Sequence, residues 1–131
     1  MKSSAEQARL LATKAEHDFQ LAKLGLASNA ALDGVCFHLQ QVAEKLLKAL
    51  LSLHDVEYPL THNLQVLLDL VVADYPQLDA MRVQLTALSP YAVEMRYDDI
   101  YPDREEVLEA CQTIDSFRQA VHNLLPPAAR P

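Results

Sequence analysis

One long run of helical periodicity constrains the fold of this chain more than any other feature. Apolar residues recur every three or four positions from residue 35 to residue 53, at Val35, Leu39, Val42, Leu46, Ala49 and Leu53. This spacing places them on one face of a helix that packs against a core. The chain has only two glycines, and no useful run alternates apolar and polar residues. The sequence therefore predicts an all-α domain.

Capping residues and prolines predict where the first three helices begin and end. The first helix should span about residues 4–24, with Ser3 or Ser4 as its N-cap and Gly25 just beyond its end. The second should span about residues 29–54. The third should begin after Thr61, an N-cap residue, and stop near residue 74.

Two further helices complete the predicted fold. A shorter helix should span about residues 76–88, and the last should begin at Asp103 and reach about Leu124, with a connection of uncertain structure over residues 91–101. Short connections favour antiparallel neighbours, so we predict an up-and-down four-helix bundle with an additional short helix. The chain of 131 residues suffices for one core, which we assign to residues 1–125. Adjacent prolines cannot continue a helix, so residues 126–131 are predicted to be a disordered tail.

Composition narrows the classes of function. The net charge is −7, and residues 55–131 hold thirteen acidic and five basic side chains. General nucleic-acid binding is not expected, because it needs basic groups that neutralise phosphates. No apolar run approaches the roughly 20 residues of a membrane span, and the first residues lack a signal-peptide core. We therefore expect a cytoplasmic protein that does not bind membranes, with Cys36 and Cys111 as free thiols.

A second stripe on the helix of residues 35–53 carries polar groups, at His38, Gln41, Lys45 and Lys48. Their spacing points an imidazole, an amide and two ammonium groups in the same direction, where they could hold a phosphate or a base. The alternative is ordinary packing, in which His38 hydrogen-bonds to a neighbouring helix and the lysines form surface pairs with residues four positions earlier.

Four segments together resemble one known family. Residues 37–51 read FHLQQVAEKLLKALL, residues 11–23 begin LATKAEHDF, residues 61–64 read THNL and residues 94–98 read EMRYD. In this order they resemble HEPN domains, the small helical domains named for nucleotide binding in higher eukaryotes and prokaryotes. The resemblance implies a helical bundle with an extra short helix, commonly a dimer. It also implies either a nucleotide ligand or a minimal nucleotidyltransferase partner, as in toxin–antitoxin pairs.

The resemblance further implies candidate site residues. The nuclease branch of the family has a catalytic Arg followed by a His four to six residues later, and Arg96 lies in the corresponding region without that His. A tyrosine near this motif is modified by the partner in some HEPN toxins, which points to Tyr97. Arg118 and His122 share a helix face at a nearby spacing and are minor catalytic candidates, as is His38. The predicted ligand-binding set is His38, Gln41, Lys45, Arg96 and Tyr97.

Other kinds of site find little support in the sequence. His17-Asp18 and His54-Asp55 lack the further ligands of an HD phosphohydrolase, and Cys36 and His38 point to different helix faces. With two glycines there is no phosphate-cradling loop. We therefore expect no metal and no cofactor. The predicted function is a nucleotide-binding or nucleotidyltransferase-partner module, and the alternative is a metal-independent ribonuclease toxin with a degenerate motif.

Overall fold

The computed structural model describes residues 1–28, 31–92 and 101–131, which are helical and contain no strand. Five α-helices lie within these ranges: α1 (Ser4–Ala27), α2 (Leu32–Leu53), α3 (Leu64–Val71), α4 (Arg82–Thr86) and α5 (Arg104–Leu124). Short 3-10 helices add Pro76–Met81, Ser89–Tyr91 and Pro127–Ala129. The prediction of an all-α helical bundle is confirmed.

The core surrounds α2, which packs against α1 along its length and also contacts α3 and α5. Its largest fully buried side chains come mainly from α2, α3 and α5 and include Leu39, Leu46, Leu47, Leu50, Leu64, Leu67, Leu68, Ile114 and Phe117. The face that α1 turns inward is mostly alanine, at Ala8, Ala12, Ala15 and Ala22. Small side chains let two helices approach closely, so polar groups near this seam reach across it.

Local capping chemistry decides several helix starts. The Ser3 hydroxyl accepts a hydrogen bond from the Glu6 amide at 3.1 Å, and the Asp103 carboxylate accepts one from the Glu106 amide at 2.8 Å. Both were predicted as N-caps. Thr61 is not the cap of α3: its hydroxyl accepts from the Asn63 amide, and the Asn63 side chain caps the helix.

Gly25 does not end the first helix, contrary to the prediction. It lies inside α1, and a Cβ atom built on it would approach Val35 Cγ2 to 2.9 Å. Glycine is therefore required here by the close approach of α2. The helix ends later because the Ser28 hydroxyl and amide both donate to the Leu24 carbonyl, at 2.8 and 3.0 Å.

Two other segments differ from the prediction. The single helix expected over residues 76–88 is a 3-10 helix followed by α4, and Arg82 at their junction donates to Asp79 and Asp69. The expected disordered tail is instead a 3-10 turn packed against α1, with Ala129 fully buried. Arg130 Nε donates to the Leu125 carbonyl at 2.9 Å, which holds the turn at the end of α5.

Candidate functional site

The predicted polar stripe of α2 meets a carboxylate from α1. The side chain of Asp18 is only 10% exposed and lies between His38 and Lys45. Nδ1 of His38 is 2.9 Å from Asp18 Oδ1, and the Lys45 ammonium donates to Asp18 Oδ2. A buried charge needs such partners. Two of the predicted ligand-binding residues, His38 and Lys45, therefore already have Asp18 as a partner. We call this arrangement the Asp18 cluster.

Gln41 and Lys48 belong to a different network. Gln41 donates to Gln40 Oε1 at 2.7 Å, and Lys48 donates to Glu44 Oε2 at 3.1 Å. The other oxygen of Glu44, a buried residue, lies 2.8 Å from Nδ1 of His62. This network joins α2 to the residues before α3. The stripe is therefore divided between two sets of protein partners, and ligand binding by His38, Gln41 and Lys45 stays a prediction.

An open groove lies on another side of α1, between α1, α5 and the 3-10 turn at residues 127–129. Its volume is about 510 Å³, and it is lined by Thr13, Glu16, His17, Gln20, Arg118, His122, Arg130 and Pro131. We call it the Arg118 groove. Arg118 and His122 were predicted to share a helix face, and both lie against Glu16 here.

Arg118 is held from three sides. Its Nη1 donates to Glu16 Oε1 at 3.0 Å, its Nη2 donates to Asp115 at 2.8 Å, and its guanidinium lies 4.5 Å from the centre of the Phe19 ring. Contact with an aromatic face stabilises a guanidinium and fixes its plane. The cation is thus positioned at the groove without depending on any one partner.

Two buried nitrogen atoms at the groove have no hydrogen-bond partner among the described residues: Arg118 Nε and His122 Nε2. The second lies 3.3 Å from Glu16 Oε1, which is close enough for an ion pair but lacks hydrogen-bond geometry. Burial lowers the pKa of His122 below its usual value, and the positive charges of Arg118 and Arg130 act in the same direction against Glu16. Its imidazole is therefore mostly neutral near pH 7.

A family model described as HEPN domain matches residues 8–124, which is most of the chain. The chain belongs to the HEPN-domain family. This confirms the resemblance on which the sequence prediction relied. No curated protein and no solved structure matches the chain. The Asp18 cluster lies within the matched range, as do the groove residues on α1 and α5, whereas Arg130 and Pro131 lie beyond it.

Two predicted site residues correspond to the region of the family's nuclease motif. Arg96 and Tyr97 lie outside the described residues. Of the neighbouring tyrosines, Tyr101 is exposed, whereas Tyr91 is partly buried beside Cys36 in a pocket of about 380 Å³. Burial raises the pKa of Tyr91 to about 12 and that of Cys36 to about 11. The phenol and the thiol are therefore protonated at neutral pH, so neither is an activated nucleophile.

Across residues 1–28, 31–92 and 101–131, no group of three or more His, Cys, Asp or Glu side chains is arranged to hold a metal ion. No helix in these ranges has the length and apolar character needed to cross a membrane. Cys36 and Cys111 are free thiols.

Sequence reasoning did not find the acidic partners of the two sites. Asp18 was considered only as part of an HD dipeptide, Glu16 only within the segment that resembles the family, and Arg130 was assigned to a disordered tail. Residue spacing predicts which side chains share one helix face, but not which neighbouring helix that face meets. Close alanine packing and the docked 3-10 turn supply the missing partners.

Proposed function

We propose that this HEPN domain is a cytoplasmic nucleotide-binding module and that the nucleotide phosphate binds in the Arg118 groove. The observation that carries the proposal is the convergence of Arg118, Arg130 and His122 on open space of about 510 Å³. Guanidinium groups suit phosphate oxygens, and ligand sites are concave with a few convergent polar groups. The proposal draws further support from membership of a family named for nucleotide binding.

The Arg118 groove is a better candidate than the α2 stripe because its donors are less fully used. In the Asp18 cluster a buried carboxylate contacts both His38 and Lys45. In the groove, Arg130 is exposed, and a buried nitrogen of His122 has no hydrogen bond within the described residues. The chain as a whole carries a net charge of −7, so binding should be modest and should weaken as salt rises.

The partners implied by the family remain proposals. We propose a symmetric homodimer, because the chain is half hydrophobic and leaves Leu21, Leu24 and Leu108 exposed on α1 and α5. A minimal nucleotidyltransferase partner, with a toxin–antitoxin pair as its setting, is proposed from the family resemblance alone. A partner that handles nucleotides would be consistent with a nucleotide-binding groove.

Calorimetric titration with AMP and ATP tests the function and its location together. We expect Arg130→Gln to weaken AMP binding by roughly fivefold to tenfold, since a charged hydrogen bond contributes about 1.5–3 kcal/mol when fully made and less when exposed. Lys45→Gln is the matched control and should bind as the wild type does. Weaker binding by Lys45→Gln with unchanged binding by Arg130→Gln would place the site at the α2 stripe. The absence of binding of either nucleotide by the wild type would reject the proposal.

A metal-independent ribonuclease is the second candidate, favoured by a mostly neutral imidazole at His122 beside the Arg118 cation. We expect little or no cleavage, because the chain lacks the His of the family's nuclease motif after Arg96 and has aspartates there instead. Incubation of single-stranded RNA with the purified protein and a chelator tests this. Cleavage that is abolished by Arg96→Ala would overturn the expectation, and the missing base would then be sought at His38 or His122.

A further inference from the structure

The Arg118 groove already contains one anion, the carboxylate of Glu16. Its Oε1 atom accepts a hydrogen bond from Arg118 Nη1 at 3.0 Å and lies 3.3 Å from His122 Nε2. An oxygen between a guanidinium and an imidazole has the position that a bound phosphate oxygen would take. We propose that Glu16 is an internal competitor that any anion must displace, so that the groove binds terminal phosphates measurably and phosphodiesters only weakly. This inference rests on the proposed nucleotide-binding function.

Glu16 can leave without disturbing the cation. Arg118 keeps its hydrogen bond to Asp115 at 2.8 Å and its contact with the Phe19 ring when the Glu16 carboxylate moves away. The side chain of Glu16 is 24% exposed, compared with 10% for Asp18, so it can turn into water at little desolvation cost. The guanidinium is therefore preorganised for an incoming anion, and only the carboxylate has to move.

The selectivity follows from charge. A terminal phosphate carries about −1.5 to −2 charges near pH 7 and three acceptor oxygens, whereas a phosphodiester carries one negative charge. The displaced carboxylate also carries one negative charge, so a phosphodiester gains little by replacing it. A terminal phosphate has more charge and more acceptors than the group it displaces. The groove should therefore accept nucleoside monophosphates and reject the RNA backbone.

The other ionisable groups at the groove do not reverse this order. Arg118, Arg130 and His122 favour any anion, and Asp115 on α5 and Glu16 on α1 oppose it. His17 lines the same groove from α1. Of these, Glu16 is the carboxylate whose oxygen contacts both Arg118 and His122, so its removal should raise the affinity for anions most.

The test compares AMP, which has a terminal phosphate, with 3′,5′-cyclic AMP, which has only a diester. Both are titrated at pH 7.5 and low salt into the wild type and Glu16→Gln. We expect the wild type to bind AMP at least tenfold more tightly than the cyclic nucleotide. We expect Glu16→Gln to bind both nucleotides about threefold to tenfold more tightly than the wild type, because the cost of displacing the carboxylate is the same for each ligand.

Glu6→Gln is the control for net charge, since Glu6 is exposed on the same helix and remote from the groove lining. It should leave both affinities and their ratio unchanged. Glu16→Asp, which shortens the carboxylate, should give a smaller gain and serves as the second variant if Glu16→Gln unfolds. Circular dichroism melts establish that each variant is folded.

The outcomes separate this inference from the proposed function. Binding of AMP by the wild type with equal or weaker binding by Glu16→Gln would overturn the inference and leave nucleotide binding intact. Equal affinities of the wild type for AMP and the cyclic nucleotide would overturn the preference for terminal phosphates. Binding by Glu16→Gln alone would support both ideas, and no binding by either protein would reject the nucleotide-binding function itself.

Discussion

The Asp18 cluster and the Arg118 groove both join a carboxylate of α1 to groups on another helix, yet they differ in what they can do. Each combines a carboxylate of α1, a histidine and a cation, and the carboxylates are two residues apart in the chain. In the cluster, the carboxylate is buried and contacts both of its partners. In the groove, nitrogens of Arg118 and His122 are left without hydrogen bonds among the described residues.

Packing explains the difference. Asp18 lies where α1 and α2 pack over alanine side chains, and its carboxylate is only 10% exposed. Glu16 lies where α1 meets α5 and the short 3-10 turn, and these elements enclose open space. A closed polar cluster holds helices together, whereas an open one can exchange a protein anion for a ligand. The first is a stabilising contact, and the second is the better candidate for binding.

The largest expected effect is on stability, when the carboxylate of Asp18 is replaced by an amide and compared with the same change at Glu16. We expect Asp18→Asn to lower the free energy of unfolding by about 2–4 kcal/mol, because it leaves the Lys45 ammonium partly buried without its counterion. Glu16→Gln should cost less than about 1 kcal/mol, since it is more exposed and Arg118 keeps Asp115. Urea unfolding of the two variants measures both values. Equal losses would remove the distinction between the cluster and the groove.

Formation of a dimer would affect the comparison between the Asp18 cluster and the Arg118 groove if its interface covered one of them. We predict a symmetric dimer, and burial of Leu24, which is 66% exposed, should contribute about 1–2 kcal/mol per protomer. Because both protomers lose this contact, Leu24→Ser should weaken the dimer by roughly thirtyfold or more. Light scattering measures the mass, and a monomer at micromolar concentration would count against the dimer. If the dimer does not bind AMP, the Arg118 groove is part of the dimer interface.

The smallest effect concerns pH. The folded state holds the pKa of His122 below its usual value of 6.5, so the unfolded chain binds the proton more readily. The contribution to stability is complete above about pH 6.5 and is lost as pH falls toward the lower folded value. His122→Gln should therefore make the stability fall less steeply between pH 6.5 and 5. Thermal melts across this range compare it with Asn123→Ala, and identical slopes would contradict the burial of the imidazole.

Several elements could be predicted because their cause is local. Asp103 caps α5 through an amide three residues away, and the apolar repeat of α2 needs only one interface on which to pack. The shared face of Arg118 and His122 follows from helical spacing alone. These features depend on residues within one or two turns of each other, so the printed sequence contains the information.

The sequence by itself determined the helical class, the family, the starts of α1 and α5 and the faces on which polar groups lie. The tertiary structure alone decided that Gly25 continues its helix against Val35, that Ala129 is buried, and that Asp18 and Glu16 receive different partners. These outcomes depend on contacts between residues far apart in the chain. Local propensity cannot specify them, because the same helix face is compatible with several neighbours until the core is packed.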